Sequence, residues 1–316
     1  MLGPDNVIAL DDIEAAADRI EGHVRITPVL HPGAGAFGLD PGLDLVLKLE
    51  LLQHTGSFKP RGAFNRILAN DVPAAGVIAA SGGNHAAAVA HAATELGIPA
   101  EIHVPEAAPA IKLERLARYP VDVRRTGALY DDAQAACDLR AAETGALVCH
   151  PYDLPEVLAG QGTVGRELDA QAPEVDTVLV AVGGGGLIGG VASWFRGRTK
   201  VVAVEPESSR CLGAALDAGE PVAVTVSGLA SDSLGARRVG DWPFAAARRW
   251  VDHAVTVTDA AIADAQRALW RELRLVVEPG GAAALAALLS GAYRPEPAER
   301  VAVLVCGANT DPATVR

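Results

Sequence analysis

The sequence predicts an α/β fold built as two domains, each a mostly parallel sheet flanked by helices. Three observations carry that prediction. From Gly76, short apolar runs alternate with longer helical patterns, and a second series of the same rhythm runs from Pro155 to Val305. Such alternation implies parallel βαβ units. The chain has 316 residues, enough for two cores at a prior of about 150 residues per domain. Half of the residues are hydrophobic, only 4% are aromatic and 33 are glycine, so the cores are built from alanine, valine and leucine with many close backbone approaches.

Taken in order, Asp11, Asp12 and Glu14 open a short helix, with acidic side chains favourably placed in its first turn. Thr27–Leu30 reads as an extended entry, Leu43–Leu51 as a strand and Arg61–Asn70 as a helix. Strands are then expected over Val77–Ala80, Ala100–Val104, Val121–Arg125 and Ala146–Cys149. Helices are expected between them over Asn84–Leu96, Pro109–Tyr119 and Tyr130–Thr144. This block, 76–150, is expected to be a small domain inserted into a large one made of 1–75 and 151–316. In the large domain, helix Pro155–Gln171 precedes strand Thr177–Val182 and helix Leu187–Phe195. Strand Lys200–Glu205 and helix Arg210–Ala218 follow, then helices Asp259–Leu275 and Gly281–Ser290 and an apolar closing strand, Val301–Val305. No internal repeat is visible.

The formal charge of -12 and the lack of any Lys/Arg run argue against a nucleic-acid partner. The four cysteines (Cys137, Cys149, Cys211, Cys306) are scattered without a C-x-x-C pair. They read as reduced thiols of a cytoplasmic protein, not as a disulfide framework or zinc site. The acidic N-terminus lacks a signal-peptide pattern. The uncharged run Thr177–Phe195 is long enough for a membrane span but contains six glycines. Each would cost about 1 kcal/mol inside a helix, so the run reads as strand, loop and helix, and no membrane partner is expected.

The chemistry centres on Lys59, in Thr55-Gly56-Ser57-Phe58-Lys59-Pro60-Arg61-Gly62-Ala63. Of 27 basic residues only four are lysine (Lys48, Lys59, Lys112, Lys200). A lysine held among small and aromatic residues between a strand and a helix suits an amine that must lose its proton and attack a carbonyl, since desolvation lowers its pKa. Arginine cannot form a Schiff base. The competing reading is a loop lysine that binds an anion.

Three further loops follow strands. Ser81-Gly82-Gly83-Asn84-His85 opens a helix, where free backbone amides bind anions; a plain capped turn would serve equally. Gly183-Gly184-Gly185-Gly186 makes a compact phosphate cradle. It competes with a dinucleotide fingerprint, Gly184-x-Gly186-x-x-Gly189, with Glu205 as the ribose-binding acid. Four consecutive glycines suit a monophosphate cup better, and a nicotinamide dehydrogenase leaves Lys59 and the Ser81–His85 loop unexplained. Cys306-Gly307-Ala308-Asn309 follows the last strand, at the carboxyl end where α/β ligands bind; Cys306 also reads as a buried structural thiol.

The pattern Lys48-x-Glu50-x-x-Gln53-x-Thr55-Gly56-Ser57-Phe58-Lys59-x-Arg61-Gly62-Ala63 resembles the cofactor-lysine segment of fold-type-II (tryptophan-synthase-β-like) pyridoxal-phosphate enzymes. It is most similar to their serine/threonine dehydratase and serine racemase branch, and the resemblance runs over nearly the whole chain. It implies pyridoxal 5'-phosphate held on Lys59, with its phosphate on Gly183, Gly184, Gly185 and Gly186, its ring on Phe58 and Asn84, and its nitrogen near Cys306. It also implies carboxylate binding by Ser81, Gly82, Asn84 and His85, a small amino-acid substrate and a homodimer.

Members of the branch that racemise have a second serine at position 82, an acid/base on the face opposite the lysine. Here the residue is Gly82. Elimination needs one base and racemisation two, so the residue favours a threonine or serine ammonia-lyase over a serine racemase. β-Replacement is disfavoured by the dehydratase-like Arg61-Gly62-Ala63, and a non-catalytic cofactor-binding protein by the intact lysine and both anion loops. Members with a divalent cation have Glu and, six residues later, Asp; here these are Glu205 and Cys211, so no metal is expected. The family's I-A-D-G stretch is replaced by Val226-Ser227-Gly228-Leu229 and Ala230-Ser231-Asp232-Ser233-Leu234-Gly235, so the preferred β-hydroxy amino acid can differ from threonine. Glu278-Pro279-Gly280-Gly281-Ala282 keeps the family's E-P-x-x-A pattern, and Pro279 also suits a helix start.

Overall fold

The computed structural model describes residues 7–315 except 107, 109 and 129, with the backbone alone at 110–112 and 130. Helix α1 (Leu10–Ile20) leads to β1 (Val29–Leu30), β2 (Asp44–Lys48) and α2 (Lys59–Leu68). Then come β3 (Val77–Ala80), α3 (Asn84–Glu95), β4 (Ala100–Val104), α4 (Ala110–Leu116), β5 (Asp122–Arg125), α5 (Tyr130–Thr144) and β6 (Leu147–Val148). The third stretch holds α6 (Pro155–Gln171), β7 (Thr177–Ala181), α7 (Gly186–Phe195), β8 (Lys200–Pro206) and α8 (Cys211–Ala218). It continues with α9 (Ser231–Leu234), α10 (Asp241–Trp250), β9 (His253–Val257), α11 (Asp259–Leu273), α12 (Pro279–Leu289) and β10 (Arg300–Leu304).

The strands form two sheets. One has six strands in the order β1-β2-β10-β7-β8-β9, the other four in the order β5-β4-β3-β6. All pairings are parallel except β1 with β2. The closing strand β10 is central: Ala302 lies opposite both Val46 and Val178. A strand flanked on both sides and covered on both faces must be apolar throughout, and Val301, Ala302, Val303 and Leu304 are fully buried.

The four-stranded sheet falls within the segment expected as a small domain, but its core reaches beyond it. Phe64 and Ile67 of α2 and Ile20 of α1 pack with Val77, Ala79, Ile102 and Val104. The helix that begins at Lys59 therefore packs beneath one sheet, while the two residues just before it, Ser57 and Phe58, are tied to the loop after β10 of the other.

Expected elements and observed ones agree to within a few residues. Three elements went unforeseen: α9, α10 and β9. Pro243 and the flanking Gly240 resemble a loop in the sequence, but a proline in the first turn of α10 costs no hydrogen bond. Strand β9 is an edge strand, His253 is exposed and the next three residues are half-buried, so its apolar signal is weak. No helix among the described residues is long and apolar enough to cross a membrane.

Candidate active site

Lys59 is the first residue of α2. The chain just before it is pinned to the loop after β10: Ser57 bridges to Gly307, and the Phe58 amide donates to the carbonyl of Cys306 at 3.2 Å. Lys59 Nζ donates to the carbonyl oxygen of Pro151 at 2.7 Å and lies 5.1 Å from the centre of the Phe58 ring. Burial pulls its pKa down to about 8, against the opposing pull of Cys306 and Glu278. A large fraction of this amine is neutral in mildly alkaline solution, which a free lysine is not.

Behind Lys59 lies a buried ionic cluster that accounts for the charged positions of the lysine segment. Arg61 donates from Nε and Nη2 to the two carboxylate oxygens of Glu50, at 2.9 and 2.7 Å, and from Nη2 to Glu167 at 2.8 Å. Lys48 Nζ meets Glu167 at 2.5 Å, Gln171 at 2.8 Å and the carbonyl of Thr27 at 2.7 Å. Thr27 also donates its hydroxyl to Glu50. Two cations face two carboxylates. Burial would push the Glu50 carboxyl up, but Arg61 and then Lys48 and Thr27 outweigh it and hold the group below its usual range. Such a cluster fixes the start of α2, because any rotation of the helix breaks several charged bonds at once.

The Ser81–His85 loop joins β3 to α3. Gly83 N–H donates to Ser81 Oγ at 3.1 Å, and the first backbone bond of the helix runs from Ala87 N–H to the Gly83 carbonyl. The amides of Asn84, His85 and Ala86 thus open the helix without intrahelical acceptors, an anion site. The His85 ring is committed elsewhere: Nε2 lies 2.6 Å from the carbonyl of Cys149. A carbonyl only accepts, so Nε2 carries the proton. Burial and the nearby Lys59 push the His85 pKa down to about 3, and the ring is neutral. What His85 offers the cavity is its backbone.

The glycine run lies between β7 and α7. Gly185 has φ 91°, a region open to glycine. A Cβ on Gly184 would stand 2.2 Å from the ring of Tyr152, so only glycine lets the ring lie against the loop. The run therefore exposes backbone amides on one side while Tyr152 closes the other. Glu205, the candidate ribose-binding acid, faces away from this cavity. Its two oxygens accept from the amides of Leu212 and Gly213 at 2.7 and 2.8 Å, capping α8. Burial raises its pKa to about 7. A carboxylate engaged in this way has no oxygen directed to a ribose, and the dinucleotide reading loses its acid. No group of three or more His, Cys, Asp or Glu side chains among the described residues would hold a metal ion.

A single cavity of about 760 Å³ collects Phe58, Lys59, Ser81, Gly82, Asn84, His85, Gly183, Gly184, Gly185, Gly186 and Cys306, all of the residues that the resemblance assigns to cofactor or substrate. Cys306 is buried and its Sγ lies 3.6 Å from the Gly280 carbonyl; burial, reinforced by Glu278, pushes its thiol far up, so it stays protonated. Sequence reasoning missed Tyr152, Pro151 and the rim pair Asp131 and Arg237, whose side chains meet at 3.1 Å. It quoted Glu278 and Asn309 without giving them a role. A His-Pro-Tyr-Asp turn after β6 was the available signal for the first two.

An amine whose pKa burial draws down to about 8, lining one cavity with a loop of four glycines and their backbone amides, suits a phosphorylated aldehyde. That combination defines the class: an α/β enzyme that works through a carbonyl cofactor attached to lysine. Residues 20–307 match the family described as pyridoxal-phosphate dependent enzymes, and the chain belongs to that family. It is 36% identical over 310 residues to an L-threonine ammonia-lyase of Thermotoga maritima, covering 96% of this chain and 76% of that one. It is 37% identical over 316 residues to a phenylserine dehydratase of Ralstonia pickettii, covering 96% and 95%. The fold is similar to that of a maize serine racemase, with a TM-score of 0.91 and 36% identity over 98% of this chain and 96% of the other.

Proposed function

We propose that this protein is a pyridoxal-phosphate-dependent ammonia-lyase that eliminates the β-hydroxyl of a small β-hydroxy amino acid, L-threonine or L-serine, to give a 2-oxo acid and ammonia. The observation that carries the reading is a single buried amine in the cavity, Lys59, with Gly82 in place of a second acid/base. Similarity to ammonia-lyases and a dehydratase supports it.

The residues fit the cofactor and divide the work. When bound, pyridoxal phosphate supplies the electron sink that acidifies the α-carbon hydrogen and drives out a β-leaving group. Lys59 would hold the aldehyde carbon of the cofactor, and its amine, whose pKa is drawn down to about 8, is the base placed to take the α-proton. The amides of Gly183, Gly184, Gly185 and Gly186 bind the phosphate. Phe58 and Asn84 would hold the ring, and the uncharged Cys306 thiol would serve its nitrogen. Ser81, Gly82 and the open amides of Asn84 and His85 orient the substrate carboxylate, which sets the α-hydrogen toward Lys59. Net elimination of water followed by hydrolysis gives the 2-oxo acid and ammonia.

Serine racemisation is the second reading, favoured by similarity to racemases and opposed by Gly82. We further propose a small domain over 76–150 set in a large one of 1–75 and 151–316, a homodimer and a cytoplasmic location. Exposed Ile26, at 80%, and Leu52 support the dimer, and the Arg25 side chain beside Ile26 donates from Nη1 to the Leu52 carbonyl.

The test is a pair of measurements on the purified protein. A near-visible absorption band that disappears in Lys59→Ala, with 2-oxo acid accumulating from L-threonine or L-serine, is the expected result. D-serine as the main product would favour the racemase, and absence of the band after incubation with pyridoxal phosphate would overturn the reading.

A further inference from the structure

Asn84 lies in a chain of side chains that the mechanism above does not use. Asn309 Nδ2 donates to the backbone carbonyl of Thr55 at 2.8 Å and to Asn84 Oδ1 at 2.7 Å. Asn84 Nδ2 in turn donates to Glu278 Oε1 at 2.6 Å. The direction of this relay is not arbitrary. A backbone carbonyl only accepts, so the amino group of Asn309 must face Thr55. Its second hydrogen then meets the oxygen of Asn84, which turns the amino group of Asn84 toward the Glu278 carboxylate. Neither amide can flip without setting oxygen against oxygen or N–H against N–H.

Two glycines make room for the relay. A Cβ on Gly56 would stand 2.7 Å from Asn309 Oδ1, and one on Gly307 would stand 2.0 Å from Glu278 Oε1. Gly56 sits at φ 77° after Thr55 at φ 61°, and the Ala308 amide donates to the Gly56 carbonyl at 2.9 Å. The turn just before the lysine is thus shaped around Asn309, and the loop after β10 around Glu278. These contacts give a physical reason for the Thr55-Gly56 pair and for Gly307-Ala308-Asn309 that neither cofactor holding nor substrate binding required.

Asn84 lines the cavity. With its oxygen turned to Asn309 and one N–H held by Glu278, the donor that Asn84 has left for a ligand is its second N–H. We propose that Asn309 and Glu278 are positioning residues that commit Asn84 to act as a hydrogen-bond donor, so that it holds the ring oxygen of the cofactor in its deprotonated form. A freely rotating amide would present oxygen as readily as N–H and would lose this preference. The inference rests on the pyridoxal-phosphate reading of the cavity.

The test uses the holoenzyme's absorption, not its turnover. A deprotonated ring oxygen favours the near-visible band, and a protonated one a band at shorter wavelength. Asn309→Ala changes no charge, so any redistribution between the two bands is not a Coulomb effect. One net hydrogen bond is worth about 1 kcal/mol, so the ratio of near-visible to near-ultraviolet absorbance should fall about fivefold. In an Asn84→Ala background the same substitution should change nothing further, since Asn309 acts only through Asn84. Asn309→Ser, whose hydroxyl is too short to span both partners, should behave like Asn309→Ala and guards against loss of fold in one variant. An unchanged ratio in folded Asn309 variants, or an equal change with and without Asn84, would overturn the proposal while leaving the cofactor reading intact. Absence of the near-visible band in the unsubstituted protein would remove the cofactor reading and this proposal together.

Discussion

Lys59 and Pro151 lie far apart in sequence and 2.7 Å apart in space, Nζ donating to the carbonyl oxygen. One residue opens α2 and the other follows β6, so the bond ties the amine to the turn that carries Tyr152. It holds the amine through a neutral acceptor, and burial, opposed by Cys306 and Glu278, depresses the pKa to about 8. The expected consequence is a pH profile. The rate at which cofactor-free protein takes up pyridoxal phosphate should rise with pH and level off above about 8. Stability should follow the same group. Between the folded pKa of about 8 and the ordinary lysine value of 10.5 the unfolded lysine keeps a proton that the folded one has lost. The unfolded state then binds more protons, so the contribution of Lys59 to stability rises with pH across that window. Stopped-flow absorbance and denaturant titrations of the cofactor-free protein, each compared with Lys59→Ala, measure both; a flat uptake rate from pH 6 to 10 would contradict the assignment.

The ionic cluster behind Lys59 makes a second prediction. Arg61 and Glu50 are both almost completely inaccessible to solvent, at 1% and 0% exposure. Arg61→Ala leaves the Glu50 carboxylate buried without its main partner and is expected to cost about 3–5 kcal/mol of unfolding free energy. Replacing both residues, Arg61→Met with Glu50→Leu, removes one charge of each sign and leaves Lys48 paired with Glu167. The double variant should therefore be more stable than Arg61→Ala. Urea unfolding of the three proteins decides it, and a double variant weaker than the single one would mean that the pair is valued for more than charge balance.

The fold was legible because its signal is local. β3, β4 and α5 sit where hydrophobic runs and helical periods put them, and the glycine cradle and Ser81–His85 loop each announce themselves as strand, turn and helix. Tertiary relationships were not legible. Nothing in the sequence says that Tyr152 lies on Gly184, that the His85 ring turns to Cys149, or that Asn309 reaches back to Thr55. Each depends on loops from different elements meeting at the cavity. Glu205 shows the reverse failure: its place at a strand end fits a ribose-binding acid, but the amides of α8 claim both of its oxygens.

The contact between Gly184 and Tyr152 is testable as a steric pair. The added methyl of Gly184→Ala would lie 2.2 Å from the Tyr152 ring, so loop or ring must move. Overpacking of this kind costs about 1–3 kcal/mol, and because the loop holds the phosphate the loss should appear as about a tenfold or greater rise in the dissociation constant for pyridoxal phosphate. Tyr152→Ala in the same chain makes space for the methyl, and the double variant should regain affinity relative to Gly184→Ala. Fluorescence titration of cofactor-free protein reads both. Equal affinities in Gly184→Ala and the unsubstituted protein would show that the loop does not hold the phosphate.

Gly82 separates elimination from racemisation, and its surroundings permit a direct trial. The nearest atoms to a Cβ at this position are Ala108 Cβ and Pro105 Cδ, both at 3.7 Å, an ordinary contact distance. A Cβ therefore fits here among the described residues, unlike one at Gly184. Gly82→Ser adds a hydroxyl to the loop proposed to orient the substrate carboxylate, on the face that the family resemblance sets opposite Lys59. With two proton-transfer groups on opposite sides of the α-carbon, a proton removed on one face can be returned on the other. Chiral chromatography of serine incubated with the variant should show D-serine above the level made by the unsubstituted protein. 2-Oxo acid formation should persist, because Lys59 is untouched and elimination needs only one base. D-Serine at equal levels in both proteins would show that the missing hydroxyl is not what limits racemisation, and would point to the altered segment 226–235, whose Val226, Ser231 and Ser233 also line the cavity.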